Sequence, residues 1–249
     1  MGNVSKYSRF MTPLLLLSSL LTGTASAREV SPGDYSLTVA PVAELCLDGV
    51  GPLDRWDHLS ALGLSAVAVN GQANLSLCVT RARFGGRWFS EAIFTVAVEG
   101  PQGPGAYLVA AHNSIASYAR VERRRNLSPY THGQIFFSDD PALASLLIRG
   151  ADGVEALQAQ NGGPPLAPTS APGFEGPIYL PSGGHFYARL GPSSASAPFE
   201  PGEDTLTIMP GAGQSAVASA LAEAGFVPTG WRGSQTNEHA KTRTAPSTR

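Results

Sequence analysis

Between His112 and Phe136 the chain reads HNSIASYARVERRRNLSPYTHGQIF. Six polar or ionisable groups fall in this stretch: His112, Asn113, Arg123, Arg124, Arg125 and His132. Imidazoles exchange protons near neutral pH. Guanidinium groups grip carboxylates through paired hydrogen bonds. Together they suit a pocket for a small anion with acid/base capacity. If the arginines lie on a strand, Arg123 and Arg125 share one face and Arg124 takes the other; the plainer alternative is a solvated basic turn. Pro129 drives Ser128 toward an extended conformation, which sets Tyr130 and His132 on a common side. Upstream, Glu91 sits among apolar neighbours in RWFSEAIFTVAV. A carboxylate placed there must be hydrogen-bonded or charge-paired, or its pKa rises. The competing reading is a strand-end glutamate near solvent.

Several chemistries lack their signatures. There is no G-x-S-x-G elbow, no H-E-x-x-H and no P-loop, and the histidines at 58, 112, 132, 185 and 239 show no i, i+4 or H-x-H spacing. No metal and no cofactor is therefore expected. Cys46 and Cys78 belong to no Cys/His motif; in an oxidising compartment they read as one disulfide, with two buried thiols as the alternative.

The compartment follows from the first 27 residues. Lys6 and Arg9 precede the 11-residue apolar run Met11–Leu21, and Ala25-Ser26-Ala27 closes it. This is the layout of a signal peptide cut after Ala27, so the protein is expected to be secreted or periplasmic. No later run approaches the roughly 18 apolar residues that span a bilayer, so no membrane insertion is expected after cleavage. The remaining 222 residues suit one domain and carry 15 basic and 19 acidic side chains, a net charge of −4. Nothing in that balance supports a nucleic-acid partner, and oligomeric state is left open. Lysine occurs only at positions 6 and 241. Residues 233–249 are polar and expected to be disordered, so a domain over 28–232 is expected to contain no lysine.

Positioning these groups requires strands. Tyr35–Val42 alternates as a half-buried strand. Leu62–Val69 and Asn74–Phe84 flank Asn70-Gly71, a hairpin dipeptide. Arg87–Val98 follows the Gly85-Gly86 turn, and Ala106–Ala111 delivers His112. Ser117–Glu122 reads as a helical turn or a strand, and Gln134–Phe137 as a short strand. Asp140 and Pro141 have the types of an N-cap and N1 pair, which predicts a helix from Pro141 to about Ile148. Residues 151–176 and 191–202 read as loose excursions. Strands are expected at Pro177–Leu180, His185–Leu190 and Asp204–Met209, and a helix at Ala216–Ala224. Nine to eleven strands with two or three short helices make an α+β, β-rich single domain with a barrel- or cone-like mixed sheet.

Two segments carry a resemblance. Phe89-Ser90-Glu91-Ala92-Ile93-Phe94-Thr95-Val96 and Arg123-Arg124-Arg125-Asn126-Leu127-Ser128-Pro129-Tyr130 resemble motifs of the acetoacetate decarboxylase-like superfamily, over about 50 residues. The resemblance implies a β-barrel or cone around a central cavity, with Glu91 matching a glutamate of the cavity wall. It also implies a departure. Tyr130 stands directly after the proline, where the decarboxylases have the lysine that forms a Schiff base. That chemistry needs a primary amine in an apolar pocket, and arginine, always protonated, cannot supply it. Glu91, Tyr130 and His132 are then the candidate catalytic residues, and His112, Asn113, Arg123, Arg124 and Arg125 the candidate ligand-binding ones. The expected function is a secreted protein that binds a small carboxylated or keto ligand without Schiff-base chemistry. The alternatives are an exported lyase or hydrolase acting on a keto-acid-like substrate, and an envelope interaction protein.

Overall fold

The computed structural model describes residues 37–125, 127–236 and 238–243. The expected signal peptide lies outside them. β1 (Leu37–Val39), β2 (Val42–Pro52), β3 (Ser65–Ala66), β4 (Ala68–Val69), β5 (Gln72–Phe84), β6 (Arg87–Gly100) and β7 (Gly103–Asn113) precede the helix α1 (Ala116–Arg125). Then come β8 (Tyr130–His132), β9 (Gln134–Ser138), β10 (Ser145–Arg149), β11 (Glu155–Gln160), β12 (Ala167–Ala171), β13 (Glu175–Tyr179), β14 (His185–Arg189), β15 (Ser193–Pro198) and β16 (Thr205–Ile208). The helix α2 (Ala216–Glu223), β17 (Val227–Thr236) and β18 (His239–Arg243) complete the order. Leu53–Leu62 and Ala212–Gln214 are 3-10 turns. No helix among the described residues is long and apolar enough to cross a membrane.

Fourteen strands make one mixed sheet along β1-β18-β14-β13-β7-β6-β5-β2-β17-β15-β12, with β3, β4 and β8 pairing at its side; β16-β11-β10-β9 form a second sheet. Alternation in the long strands decides where the core sits. Leu45 and Leu47 of β2, Leu75 and Leu77 of β5 and Phe94 and Val96 of β6 all turn to one face. There they pack with Leu146, Ile148 and Leu157 of the small sheet and Val217 and Leu221 of α2. The opposite face carries a smaller apolar cluster that includes Leu108, Tyr130, Ile178 and Phe186.

The mixed sheet is cone-like but does not close into a barrel. β1 curls back far enough for the Ala40 N–H to donate to the Arg83 carbonyl at 3.3 Å. It can form no ladder there, because β2 and β6 already occupy both edges of β5.

Other expectations also give way. The helix expected from Pro141 to Ile148 is a turn followed by β10. Asp140 Oδ1 accepts from the Ala142 N–H at 3.0 Å, so its capping capacity closes a local turn, while Ala144, Leu146 and Ile148 are buried at every second position. The excursions at 151–176 and 191–202 hold β11, β12 and β15. The segment expected to be disordered after residue 232 is strand through most of its described length: β17 continues to Thr236, and β18 is clamped between β1 and β14. Backbone pairing on both edges supplies what its polar side chains do not.

Asp204 ties the two sheets together. Its buried carboxylate accepts from the Gly162, Gly163 and Glu200 N–H groups at 2.8, 3.0 and 2.9 Å and from Trp231 Nε1 at 3.0 Å. Burial alone would raise its pKa, but these four donors together hold it below the usual carboxylate range. Asp204→Ala leaves all four donors without the acceptor, at a cost of about 1–3 kcal/mol for each donor that finds no water. We expect a loss of at least about 2 kcal/mol in urea unfolding at neutral pH. The wild-type advantage should shrink in acid, because a depressed carboxylate pKa stabilises only above it. An unchanged unfolding midpoint would show that the clasp is dispensable.

Candidate functional site

Directly opposed residues in adjacent strands share a face. Successive registers therefore line up one polar row: Ser234 on β17, Glu44 on β2, Thr80 on β5, Glu91 on β6, Asn113 on β7 and His132 on β8. Strands lie roughly 4.8 Å apart, so Glu44 and Glu91 stand roughly 10 Å from each other across the curved face.

A cavity of about 110 Å³ opens on this face. Its polar wall groups are Glu44, Thr80, Glu91, Thr95, Tyr130 and His239; the remainder is apolar, with Phe89, Ile93, Leu108, Ile178 and Phe186 prominent. An apolar cavity of this order holds a molecule of a few heavy atoms. Glu44 is only 3% exposed. It accepts a hydrogen bond from Thr80 Oγ1 at 3.3 Å, yet burial outweighs that bond and the charge of Arg232, and its carboxyl rises from 4.5 to about 6. Arg232 is committed elsewhere, with Nε and Nη2 on Asp48 Oδ2 and Oδ1 at 3.0 and 3.1 Å and Nη1 on Ser193 Oγ at 3.2 Å. His239 is 7% exposed, its Nε2 has no hydrogen-bond partner among the described residues, and burial pushes its pKa down to about 4. It is uncharged at neutral pH.

The candidate residues read from the sequence separate into three groups. Glu91 and Tyr130 are in the wall, and Asn113 Nδ2 reaches Glu91 Oε1 at 3.5 Å while its Oδ1 accepts from the Ile115 N–H. His112 and Asn113 are consecutive in β7, so they face opposite ways, and His112 points away from the cavity. It is fully buried, with Nε2 on Ser215 Oγ at 2.7 Å and Nδ1 on Thr131 Oγ1. Ser215 in turn caps α2 by accepting from the Ala218 N–H, so His112 fastens the helix to the sheet; burial lowers its pKa to about 4. His132 is half-buried beside Asn113 in the row and is not a wall residue.

The arginines lie in no strand, and neither Arg123 nor Arg124 is in the wall. Arg123, Arg124 and Arg125 end the helix α1. Arg123 and Arg124 are exposed, and Arg123 Nη1 donates to the Tyr130 carbonyl at 3.3 Å. Glu44 and His239 were not singled out from the sequence. The alternation of Glu44, Cys46 and Asp48 against Leu45 and Leu47 marks the first as inward on the polar face. His239 fell in the presumed tail. So did Lys241, which pairs in β18 with Ala188 and Leu37; the folded sheet therefore does contain one lysine.

Cys46 and Cys78 are direct cross-strand partners and form a disulfide. Their sulfurs and the Glu44 carboxylate lie within 4.8 Å of one another. With both sulfurs bonded to each other, only the carboxylate is left to offer a metal.

No family model matches the chain, and no curated protein matches it. Solved structures do. The enduracididine biosynthesis enzyme MppR aligns at a TM-score of 0.58 and 12% identity, covering 92% of each chain. An acetoacetate decarboxylase-like enzyme from Sphingomonas wittichii RW1 aligns at 0.54 and 13%, covering 91% of this chain and 97% of that one. Acetoacetate decarboxylase from Legionella pneumophila aligns at 0.53 and 10%, covering 87% and 92%. The chain has the acetoacetate decarboxylase-like fold.

Glu44 predicts a pH signature. Below about 4.5 the group is protonated whether or not the chain is folded. Between about 4.5 and 6 the unfolded chain releases the proton and the folded protein keeps it, so stability falls as pH rises through this window. Glu44→Gln should remove that fall and raise stability at neutral pH by on the order of 1–2 kcal/mol. Thermal unfolding of both proteins on each side of the window measures it. An identical pH dependence in the variant would place the titration elsewhere.

Proposed function

We propose that this chain is an exported protein that holds a small keto compound in the cavity without forming a Schiff base. The observation that carries this reading is His239 Nε2: a buried polar atom on the wall of an apolar cavity with no hydrogen-bond partner among the described residues. Such an atom costs about 1–3 kcal/mol, which a ligand's polar atom recovers. In its Nε2–H tautomer the neutral imidazole donates to a keto oxygen. A carboxylate fits less well, because the described ionisable wall groups are two glutamates, a tyrosine and an uncharged histidine. MppR, of the same fold, has been solved with pyruvate, a keto compound of the size this cavity admits. Export is supported by the leader-like first 27 residues and by a disulfide in the central sheet.

Tyr130, at the place where the resemblance calls for a lysine, supports non-covalent binding. Lys241 lies on another strand, so it is the residue that tests this point. One observation favours an enzyme as second reading: Glu44, with its carboxyl near 6, is poised for proton transfer near neutral pH, as a lyase or hydrolase acting on a keto-acid-like substrate would require.

Two experiments test the proposal. In a thermal-shift panel, small neutral ketones should raise the melting temperature, more than keto acids of the same size do, and His239→Ala should weaken binding by about tenfold, the worth of roughly one hydrogen bond. Silence across the whole panel would sink the binding reading. Borohydride treatment with a β-keto acid should leave the mass of the folded protein unchanged; an adduct mapped to Lys241 would overturn the non-covalent mechanism.

A further inference from the structure

Beside the cavity, two elements carry exposed aromatic side chains and arginines that face no carboxylate. The hairpin of β5 and β6 turns at Gly85 and Gly86, both at positive φ (55° and 79°). Its last pairs are Arg83 with Trp88 and Phe84 with Arg87, so an apolar and a basic side chain stand together on each face of the tip. α1 packs against this tip. The Tyr118 ring meets Phe84 and Phe89 edge-on at 6.2 and 5.7 Å, and its hydroxyl donates to the Phe84 carbonyl at 3.3 Å. Trp88 is 55% exposed, Phe84 41% and, on α1, Val121 46%.

The charge is as uneven as the polarity. Residues 81–90 hold three arginines and no acid, and α1 holds four arginines and one acid, in a protein whose mature net charge is −4. Arg81, Arg149, Arg189 and Arg232 each face a carboxylate. Arg83, Arg87, Arg120 and Arg124 are exposed and face none among the described residues.

We propose that this tip docks on an anionic lipid bilayer, with Trp88 and Phe84 at headgroup depth and the four arginines against the lipid phosphates. Exposed tryptophan suits that boundary, with an apolar body and a polar edge, and clustered arginines are drawn to an anionic leaflet. The pairs Arg83–Trp88 and Phe84–Arg87 put an apolar and a basic group on each face of the turn, which suits an extended anionic surface met end-on. Docking here is peripheral. It also sets the small-ligand cavity next to the bilayer, because Phe89 both packs on Tyr118 and lines the cavity.

Sedimentation with vesicles tests this on the full folded chain. Vesicles of phosphatidylcholine with about 30 mol % phosphatidylglycerol should bind the protein, and pure phosphatidylcholine should not; raising the salt to about 0.5 M should weaken binding by tenfold or more. Trp88→Ser and the pair R120Q/R124Q alter exposed side chains only, so melting temperature should hold while vesicle binding drops by about tenfold each. Equal binding to both vesicle types, binding unmoved by these variants, or no binding at all would overturn the proposal. So would capture by soluble polyglutamate without capture by vesicles, which would assign the patch to an acidic macromolecule.

Discussion

The row Ser234–Glu44–Thr80–Glu91–Asn113 exists because five strands pair without a slip across it. The bulges of β6 with β7 and of β17 with β2 fall elsewhere, at Phe94/Thr95 and Pro228/Gly230. A slip of one residue in β2 would turn Glu44 into the apolar core and Leu45 into the cavity. Two features resist it. The apolar face of Leu45, Leu47, Leu77 and Phe94 is fully enclosed, so reversing it exposes leucines and buries acids together. The Cys46–Cys78 bond also joins β2 to β5 one step along from the row, fixing the register that puts Thr80 beside Glu44.

That enforced register is also why the site is energetically expensive. Nothing in the folding of the sheet needs a carboxylate at position 44. The Thr80 hydroxyl and the more distant charge of Arg232 together fail to offset its loss of water, and the carboxyl rises to about 6. His239 repeats the pattern with a ring nitrogen that has no hydrogen-bond partner among the described residues. Asp204, by contrast, shows what the same chain does when a buried acid is there for stability, surrounding it with four donors. A satisfied Asp204 and under-satisfied Glu44 and His239 thus mark two kinds of buried polar group in one chain, the second kind placed on the cavity wall.

How much of this was legible in the sequence depended on whether period or polarity was being read. Glu91 and Tyr130 were found, because alternation in β6 and the constraint of Pro129 are local signals. His112 was misassigned by one step of parity: β7 extends through Asn113, and two consecutive strand residues cannot both enter one cavity. The arginines were weighed as strand although SIASYARVERRR is rich in good helix formers, and the helix carries Arg123 and Arg124 outside the wall. The largest miss came from equating polarity with disorder. HAKTR has no apolar pattern of its own, and its strand is held by neighbours more than 50 residues away in β14 and 200 or more away in β1, which no local window contains. His239 was lost with it.

The lysine question turns on position within the sheet. β8, which carries Tyr130 at the place where the resemblance calls for a lysine, pairs with β7; β18, which carries Lys241, lies beyond β13 and β14. β6 fills one edge of β7, so β8 and β13 share the other, and β18 lies two strand spacings from that position, roughly 10 Å across the sheet. A Schiff base is only as useful as the groups around its nitrogen, since the carbonyl carbon it captures must lie where the acid/base groups can reach it. Glu91 and Asn113 are built around the β8 end, at 3.5 Å from each other. β18 brings His239 and Ala240 to the same cavity wall as Glu91 and Tyr130, so Lys241, next in the strand, is the one described amine close in sequence to that wall. Tyr130 itself, a buried phenol on the cavity wall, can hydrogen-bond to a bound molecule but cannot capture a carbonyl covalently as an amine would.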